Sequence, residues 1–105
     1  MSSNHAKGKQ KEREFLKWID REGYVIPYSN FGEKDIFGIA DGLFLGSGGG
    51  VVFFQITHRC AVKRHRKAID AFVDAHPNRD YAICLYSYGH SLKRFPAPFR
   101  QVKVW

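Results

Sequence analysis

Residues 37–57 read FGIADGLFLGSGGGVVFFQIT, and this stretch decides the fold. Two apolar runs, residues 37–45 and 51–57, flank a glycine-rich patch that starts at Gly46 and ends at Gly50. Apolar runs joined in this way predict a β-hairpin, because glycine readily adopts the positive φ angles of tight turns. The second run is apolar almost throughout, which is typical of a strand buried on both faces. The patch lacks the Gly-Lys-Ser/Thr ending of a phosphate-binding loop, so we interpret it as a turn.

Helical periodicity appears on both sides of the hairpin. The spacing predicts one helix over residues 9–22, closed by Gly23, and a second over residues 61–73. The inner stripe of the second helix is expected to be Ala61, Ala68, Ile69 and Phe72. Residues 29–34 are expected to form a loop, and three further strands are predicted at residues 24–28, 81–88 and 100–105. The order helix, three strands, helix, two strands predicts an α/β fold with a mixed central sheet of about five strands flanked by helices.

The chain is short and strongly basic. Its 105 residues suit one domain, for which we expect residues 8–105 to follow a flexible basic tail at residues 1–7. A hydrophobic fraction of 44% is that of a globular protein rather than a disordered one. Lys and Arg outnumber Asp and Glu by 17 to 10, a formal charge of +7. This excess attracts polyanions over a Debye length.

The two cysteines and the N-terminus bear on the compartment. Cys60 and Cys84 form no CxxC pair, which argues against a zinc ribbon or a thioredoxin-like site. Free cysteines fit a reducing compartment. The sequence shows neither the apolar core of a signal peptide nor an apolar run of the roughly 20 residues that a membrane span needs. We therefore expect a cytoplasmic protein without a membrane partner.

Basic residues concentrate in two blocks that contain no acid. The first lies between His58 and Lys67 and holds Arg59, Lys63, Arg64, Arg66 and Lys67. The second holds Lys93, Arg94, Arg100 and Lys103. Acid-free blocks suit phosphate contacts, because a nearby carboxylate would neutralise the cations. A solvated helix face is the alternative, and the repetition of the feature favours nucleic acid.

Three polar residues stand where a purely structural sequence would place apolar ones. Glu12 lies one turn before Phe15 on the core side of the first helix. Asp41 and Gln55 are equally far from the turn centre near Gly48, which places them close across the hairpin. A buried unpaired carboxylate is costly, and oxygen ligands are those that Mg²⁺ or Mn²⁺ prefers. These residues therefore predict a metal site; the alternative is a satisfied buried hydrogen-bond network.

The same residues resemble a known family. The segment Gly8-Lys-Gln-Lys-Glu12-Arg13, followed by Gly23-Tyr24, is similar to the opening of archaeal-type Holliday junction resolvases, which belong to the PD-(D/E)XK nuclease superfamily. In the hairpin, Asp41 matches the motif Asp, and Phe54-Gln55-Ile56-Thr57 matches the (D/E)XK segment. The resemblance covers about residues 8–73. It implies a PD-(D/E)XK fold and a homodimeric, Mg²⁺- or Mn²⁺-dependent endonuclease that cuts branched DNA such as a four-way junction.

The resemblance also implies roles for individual residues. Glu12, Asp41 and Gln55 would hold the ion, with Asp35 as a further ligand or as the true motif Asp. Two departures stand out: Gln55 replaces the motif acid, and Thr57, on the same strand face, replaces the motif lysine. Further expected contributors to catalysis or DNA binding are Ser29 in the loop, Arg13 beside Glu12, and Lys63 or Lys67 in place of the missing lysine. The alternatives are a catalytically inactive nucleic-acid-binding module and a protein that meets an acidic partner.

Overall fold

A mixed β-sheet between two helices forms the molecule. The structure is a computed structural model that describes residues 4–21, 28–29, 37–46, 48–94 and 97–105, with side chains described at 10–19 and from 37 onward within these ranges. In chain order the elements are α1 (Asn4–Arg21), β1 (Tyr28–Ser29), β2 (Gly42–Leu45), β3 (Val51–His58), a 3₁₀ turn (Arg59–Ala61), α2 (Val62–Ala75), β4 (Ala82–Tyr88) and β5 (Arg100–Val104). The predicted α/β class with a mixed sheet is confirmed.

The strands lie in the order β1-β2-β3-β4-β5. Strands β2 to β5 form the body of the sheet, and the two-residue β1 pairs with β2 at one edge. The β2–β3 and β4–β5 pairs are antiparallel, whereas β3 and β4 run parallel. A parallel pair needs a crossover connection, which α2 supplies. The carboxyl ends of β3 and β4 therefore lie side by side at one end of the sheet.

Helix α1 covers one face of the sheet through an aromatic cluster. Phe15 is fully buried, and its ring centroid lies 4.7 Å from that of Phe54 and 4.7 Å from that of Tyr86. Phe99 meets the same ring edge-on at 5.3 Å, and Ile19 extends the contact by one helical turn. Burying each such side chain stabilises the fold by about 1.5–3 kcal/mol. This packing positions α1 against the even-numbered residues of β3.

Helix α2 covers the opposite face. Ile69 is 1% exposed and packs with Ile83 and Leu85 of β4 and with Ile39 and Ala40 before β2. Ala68, which was expected in the inner stripe, is exposed, and the partly buried residues that join Ile69 are Val62, Phe72 and Val73. Among the described residues, no helix combines the length and apolarity that crossing a bilayer takes.

The glycine patch closes the predicted hairpin. Leu45 pairs with Val51, and the N–H of Gly46 donates to the carbonyl of Gly50 at 2.8 Å. Gly49 has a φ of +86°, the conformation for which glycine was expected. The prediction of a strand from residue 37 was wrong at its start, because β2 begins at Gly42. Phe37 and Gly38 both have positive φ angles, so the backbone turns there instead of extending.

Other element boundaries also differ from the predictions. Helix α1 begins at Asn4, inside the segment expected to be a flexible tail. Ser29, which was predicted to lie in a loop, belongs to β1 and pairs with Gly42; the rest of the strand predicted at 24–28, apart from Tyr28, lies outside the described residues. The second helix runs to Ala75 and is preceded by the 3₁₀ turn. His58 caps that turn, because its Nδ1 accepts a hydrogen bond from the N–H of Cys60 at 3.2 Å.

Candidate nucleic-acid interface and metal site

Asp41 is fastened to β3 by two hydrogen bonds. Its backbone N–H donates to the carbonyl of Phe54 at 2.7 Å. Its carboxylate Oδ2 accepts from the N–H of Ile56 at 2.9 Å. The regular strand starts one residue later, at Gly42. At this position the Asp41 side chain, instead of a backbone carbonyl, accepts the hydrogen bond from the neighbouring strand. Asp41, which is half-buried, is thereby held on the two residues that flank Gln55, by its backbone on Phe54 and by its carboxylate on Ile56.

Gln55 holds a buried oxygen for which the described residues provide no hydrogen-bond donor. The residue is 4% exposed, and its Nε2 donates to the carbonyl of Ile56 at 3.1 Å. Its Oε1 is buried and accepts no hydrogen bond from the part of the chain that the structure describes. Leaving a buried acceptor unsatisfied costs about 1–3 kcal/mol, so this oxygen is a natural contact for a ligand.

Asp41 and Gln55 carry the kinds of oxygen that a small divalent cation takes as ligands. The observed ladder ends where Gly42 faces Phe54, and Asp41, one residue beyond it, donates its N–H to the carbonyl of Phe54. The predicted pairing of Asp41 with Gln55 concerns the position just past this ladder and stays a prediction. A carboxylate and an amide oxygen are hard ligands, and Mg²⁺ commonly keeps several waters and takes one or two protein ligands. Within the described part of the chain, no three His, Cys, Asp or Glu side chains group together around one metal position.

Glu12 belongs to a different layer from Gln55. It is half-buried on α1, one turn before Phe15, and α1 packs on the face that carries Phe54 and Ile56. Side chains alternate along a strand, so Gln55 projects to the other face, where Leu85 beside it packs against α2. The structure therefore holds Asp41 on β3, the strand that carries Gln55, and places Glu12 on the α1 side of the sheet. A shared ligand set that includes Glu12 stays a prediction.

The structure describes three further residues of the predicted site to different extents: Thr57 fully, Ser29 by its backbone alone, and Asp35 not at all. Thr57 is 5% exposed, and its Oγ1 donates to the carbonyl of His58 at 3.4 Å. The backbone of Ser29 pairs with Gly42, the neighbour of Asp41, whereas its side chain lies outside the described set. Asp35 also lies outside the described residues.

Helix α2 presents the first basic block to solvent. Lys63, Arg64, Arg66 and Lys67 are all exposed. At about 100° per residue, Lys67 lies roughly 160° around the helix from buried Ile69, so it points outward. The structure therefore does not place Lys67 beside Thr57 in the role of the missing lysine. These four residues are exposed, as is Arg13 on α1, and they can therefore contact a phosphate backbone.

A cleft of about 910 Å³ opens at the carboxyl ends of β3 and β4. Its described lining contains no acidic residue and consists of Arg59, Gly89, His90, Ser91, Arg94 and Arg100. Arg59 comes from the first basic block, and Arg94 and Arg100 come from the second. The parallel pairing of β3 with β4 thus brings the two blocks together. We call this the arginine cleft.

Hydrogen bonds order the walls of the arginine cleft. The Nε of Arg59 donates to the carbonyl of Gly89 at 2.9 Å, which orients the guanidinium. Ser87 Oγ lies 2.6 Å from His90 Nε2, and Ser87 is 1% exposed. Gly89 has a φ of +88°, and a Cβ added there would lie 2.7 Å from Nε2 of His58. Only glycine fits this position without a shift of the His58 ring.

Sequence reasoning identified the arginines but missed the cleft and its other members. Gly89, His90 and Ser91 were not predicted, and Lys93, which was, is exposed without lining the cleft. One signal was present in the sequence: no Asp or Glu follows Asp80. Lys103 is not part of the described lining of the cleft, and its Nζ forms an ion pair with Asp70 at 3.5 Å.

Comparison of this chain with family models, with curated proteins and with solved structures found no match. The similarity to the resolvases consequently depends on the motif residues around Glu12, Asp41 and Gln55. The chemistry of the site depends on the contacts described above.

Proposed function

We propose that this protein binds structured DNA through its basic surface and hydrolyses phosphodiester bonds with a divalent ion held by Asp41 and Gln55. The observation that carries the proposal is the meeting of both acid-free blocks at the end of β3. Arg59 shares the arginine cleft with Arg94 and Arg100, and β3 also carries Gln55. The proposed fold is that of the PD-(D/E)XK nucleases, which the α/β architecture supports in general terms.

The binding step depends on the distribution of charge. The exposed cations of α2 form one surface, and the arginine cleft forms a second at the end of the sheet. Each phosphate that a Lys or Arg neutralises releases condensed counterions, so the affinity of such a surface falls steeply with salt. This favours a polyanion over a neutral or small ligand as the partner of the helix.

The cutting step depends on the oxygens at the start of the hairpin. A divalent ion, when bound, polarises the scissile phosphate and lowers the pKa of a bound water. Ile56 holds the Asp41 carboxylate in place, and Gln55 supplies an oxygen but no charge. We expect weak binding of the ion for that reason. Glu12, Asp35 and Ser29 are proposed as further contributors on the resemblance alone.

The resemblance to junction resolvases also supplies the proposed substrate and assembly. A four-way junction presents two symmetric strands, and a homodimer with one site per subunit can cut both. We therefore propose a branched DNA substrate and a dimeric protein.

The test uses one purified protein and three DNA substrates: a four-way junction, a duplex of the same sequence, and its single strands. We expect cutting of the junction in Mg²⁺ or Mn²⁺, none in EDTA, and none by Asp41→Asn in either ion. Asp41→Asn should still bind the junction, because fewer carboxylates repel the phosphates. Equal cutting by wild type and Asp41→Asn would refute the metal role of Asp41.

The second candidate is a binding module on the same fold that has no catalytic activity. It is favoured by the position of Thr57, which occupies the place of the motif lysine with its hydroxyl bonded to the carbonyl of His58. Lys67 faces outward, so α2 does not replace that cation. This candidate predicts junction binding with a steep salt dependence and no cutting under any divalent ion. Binding to an acidic protein instead of DNA would contradict both candidates.

A further inference from the structure

We infer that the arginine cleft receives the terminal phosphomonoester of a nucleic-acid strand. The inference rests on the proposed function, because it assumes that the protein binds nucleic acid. It adds a second mode of recognition: α2 contacts internal phosphates of any strand, whereas the cleft selects an end that carries a phosphate. Three properties of the cleft support this assignment.

The first property is charge. Arg59, Arg94 and Arg100 line the cleft together with His90, and the described lining contains no carboxylate. A phosphomonoester carries between one and two negative charges at neutral pH, since its second pKa is about 6. An internal phosphodiester carries one. Three guanidinium groups with their planar, forked donors match the oxygen-rich, more highly charged terminal group better than a diester.

The second property is shape. The cleft is open to solvent and has a volume of about 910 Å³, which is within the range of roughly 300–1,000 Å³ that pockets for small ligands and cofactors occupy. A concave site of this kind accepts a group that protrudes, such as a strand end with its last nucleotide. The phosphates of an internal duplex segment lie along a convex ridge, which suits the exposed face of α2.

The third property is order. Arg59 is oriented by the carbonyl of Gly89, and His90 is oriented by the buried hydroxyl of Ser87. Ser87 also lies in register between Thr57 of β3 and Arg100 of β5. Donors that are already positioned lose less conformational entropy when a ligand binds. The location, outside the carboxyl ends of parallel strands, is where open α/β sheets generally bind ligands.

The test measures how well oligonucleotides that differ only at their ends compete for the protein. A labelled single strand is displaced by the same sequence with a 5′-phosphate, with a 3′-phosphate, or with hydroxyls at both ends, in EDTA to prevent cutting. We expect wild type to prefer a phosphorylated end by on the order of tenfold, as the extra charge-assisted hydrogen bonds imply. Arg94→Gln and Arg100→Gln should each remove most of that preference.

Arg64→Gln is the matched control, because it makes the same charge change on the exposed face of α2. It should weaken binding of all three competitors alike and leave the preference intact. Circular dichroism confirms that each variant is folded, and Arg94→Lys provides a second, milder variant of the cleft that should keep part of the preference.

The outcomes separate this inference from the proposed function. Strong binding without discrimination between the ends would overturn the cleft assignment and leave DNA binding in place. Binding of a mononucleotide or inorganic phosphate in an Arg100-dependent way, without any binding of oligonucleotides, would overturn the proposed function and the nucleic-acid part of the inference. A preference that survives both Gln variants would place the phosphate elsewhere and refute the assignment.

Discussion

The carboxylate of Asp41 accepts a hydrogen bond from the backbone N–H of Ile56 at 2.9 Å. This bond connects the last residue before β2 to the strand that carries Gln55, and it replaces a main-chain contact at the point where the β-ladder ends. Asp41 therefore has a structural partner in addition to its proposed metal. The two roles are separable, because an amide oxygen can accept the same hydrogen bond without carrying a charge.

That separation gives the first prediction. Asp41→Asn should retain most of the stability, since its Oδ1 can still accept from the N–H of Ile56. Asp41→Ala leaves that partly buried donor without a partner and should lower the free energy of unfolding by about 1–3 kcal/mol. Urea denaturation followed by circular dichroism measures both. Equal destabilisation by Asn and Ala would show that the hydrogen bond is not what anchors Asp41.

The second prediction concerns the outer face of α2. Replacing Arg64 and Lys67 by Ala should weaken binding to all DNA sequences alike, because phosphate contacts carry no sequence information. The slope of log affinity against log salt should flatten by about one unit for each phosphate that the variant no longer neutralises. Fluorescence anisotropy at several salt concentrations measures the slope. An unchanged affinity and slope would remove this helix from the interface.

The third prediction is a pH dependence at the C-terminal strand. The indole N–H of Trp105 donates to Asp70 Oδ1 at 2.7 Å, and this bond, helped by the charge of Lys103, lowers the pKa of Asp70. A carboxyl with a lowered folded-state pKa stabilises the fold above its unfolded pKa of about 3.9, and this contribution disappears as the pH falls through the folded value. Asp70→Asn should therefore be less stable than wild type at pH 7, and the difference should shrink toward pH 3.

Thermal denaturation across this pH range measures the effect. Trp18→Phe serves as the background, because Trp105 is then the sole tryptophan and reports on the C-terminal contact by its fluorescence. A stability difference that stays constant from pH 7 to pH 3 would contradict the role of the Asp70 charge.

The fourth prediction uses the two cysteines. Burial raises the pKa of the Cys84 thiol to about 11, whereas Cys60 is exposed in the 3₁₀ turn before α2. The thiolate is the reactive form, so Cys84 should react far more slowly than Cys60 at pH 7–8. Labelling with Ellman's reagent should show one fast and one slow thiol, and Cys60→Ser should remove the fast phase. Two fast phases in the native protein would mean that β4 is not buried as described.

The hairpin was predictable because its determinants are local. Glycines at the turn and equal spacing of Asp41 and Gln55 about the centre set the register, and the structure has that register. The turn at Phe37 escaped prediction because a positive φ is rare for a residue with a side chain, and no glycine stands at that position. Ser29 was placed in a loop because a two-residue strand leaves no alternation to detect.

The arginine cleft was not predictable, because it depends on a pairing between distant segments. Sequence periodicity marks β3 and β4 as strands but does not say that they run parallel and adjacent, and only that pairing brings Arg59 to Arg94 and Arg100. The separation of Glu12 from Gln55 has a similar cause. Both residues were expected to point toward the interior, and the sequence does not reveal that Glu12 lies on the helix that covers one face of the sheet while Gln55 projects from the other.

The proposed metal chemistry meets its most direct test in the dependence of junction cutting on divalent ion. Gln55→Glu adds a negative charge to the oxygen that accepts no hydrogen bond from the described residues, and a carboxylate attracts a cation far more strongly than an amide does. We predict that Gln55→Glu needs less Mg²⁺ or Mn²⁺ than wild type for half-maximal cutting of a four-way junction, with Asp41→Asn inactive throughout the titration. If wild type, Gln55→Glu and the double variant Gln55→Glu/Thr57→Lys all bind the junction and none cuts it at any ion concentration, the protein is a binding module and the nuclease proposal is wrong.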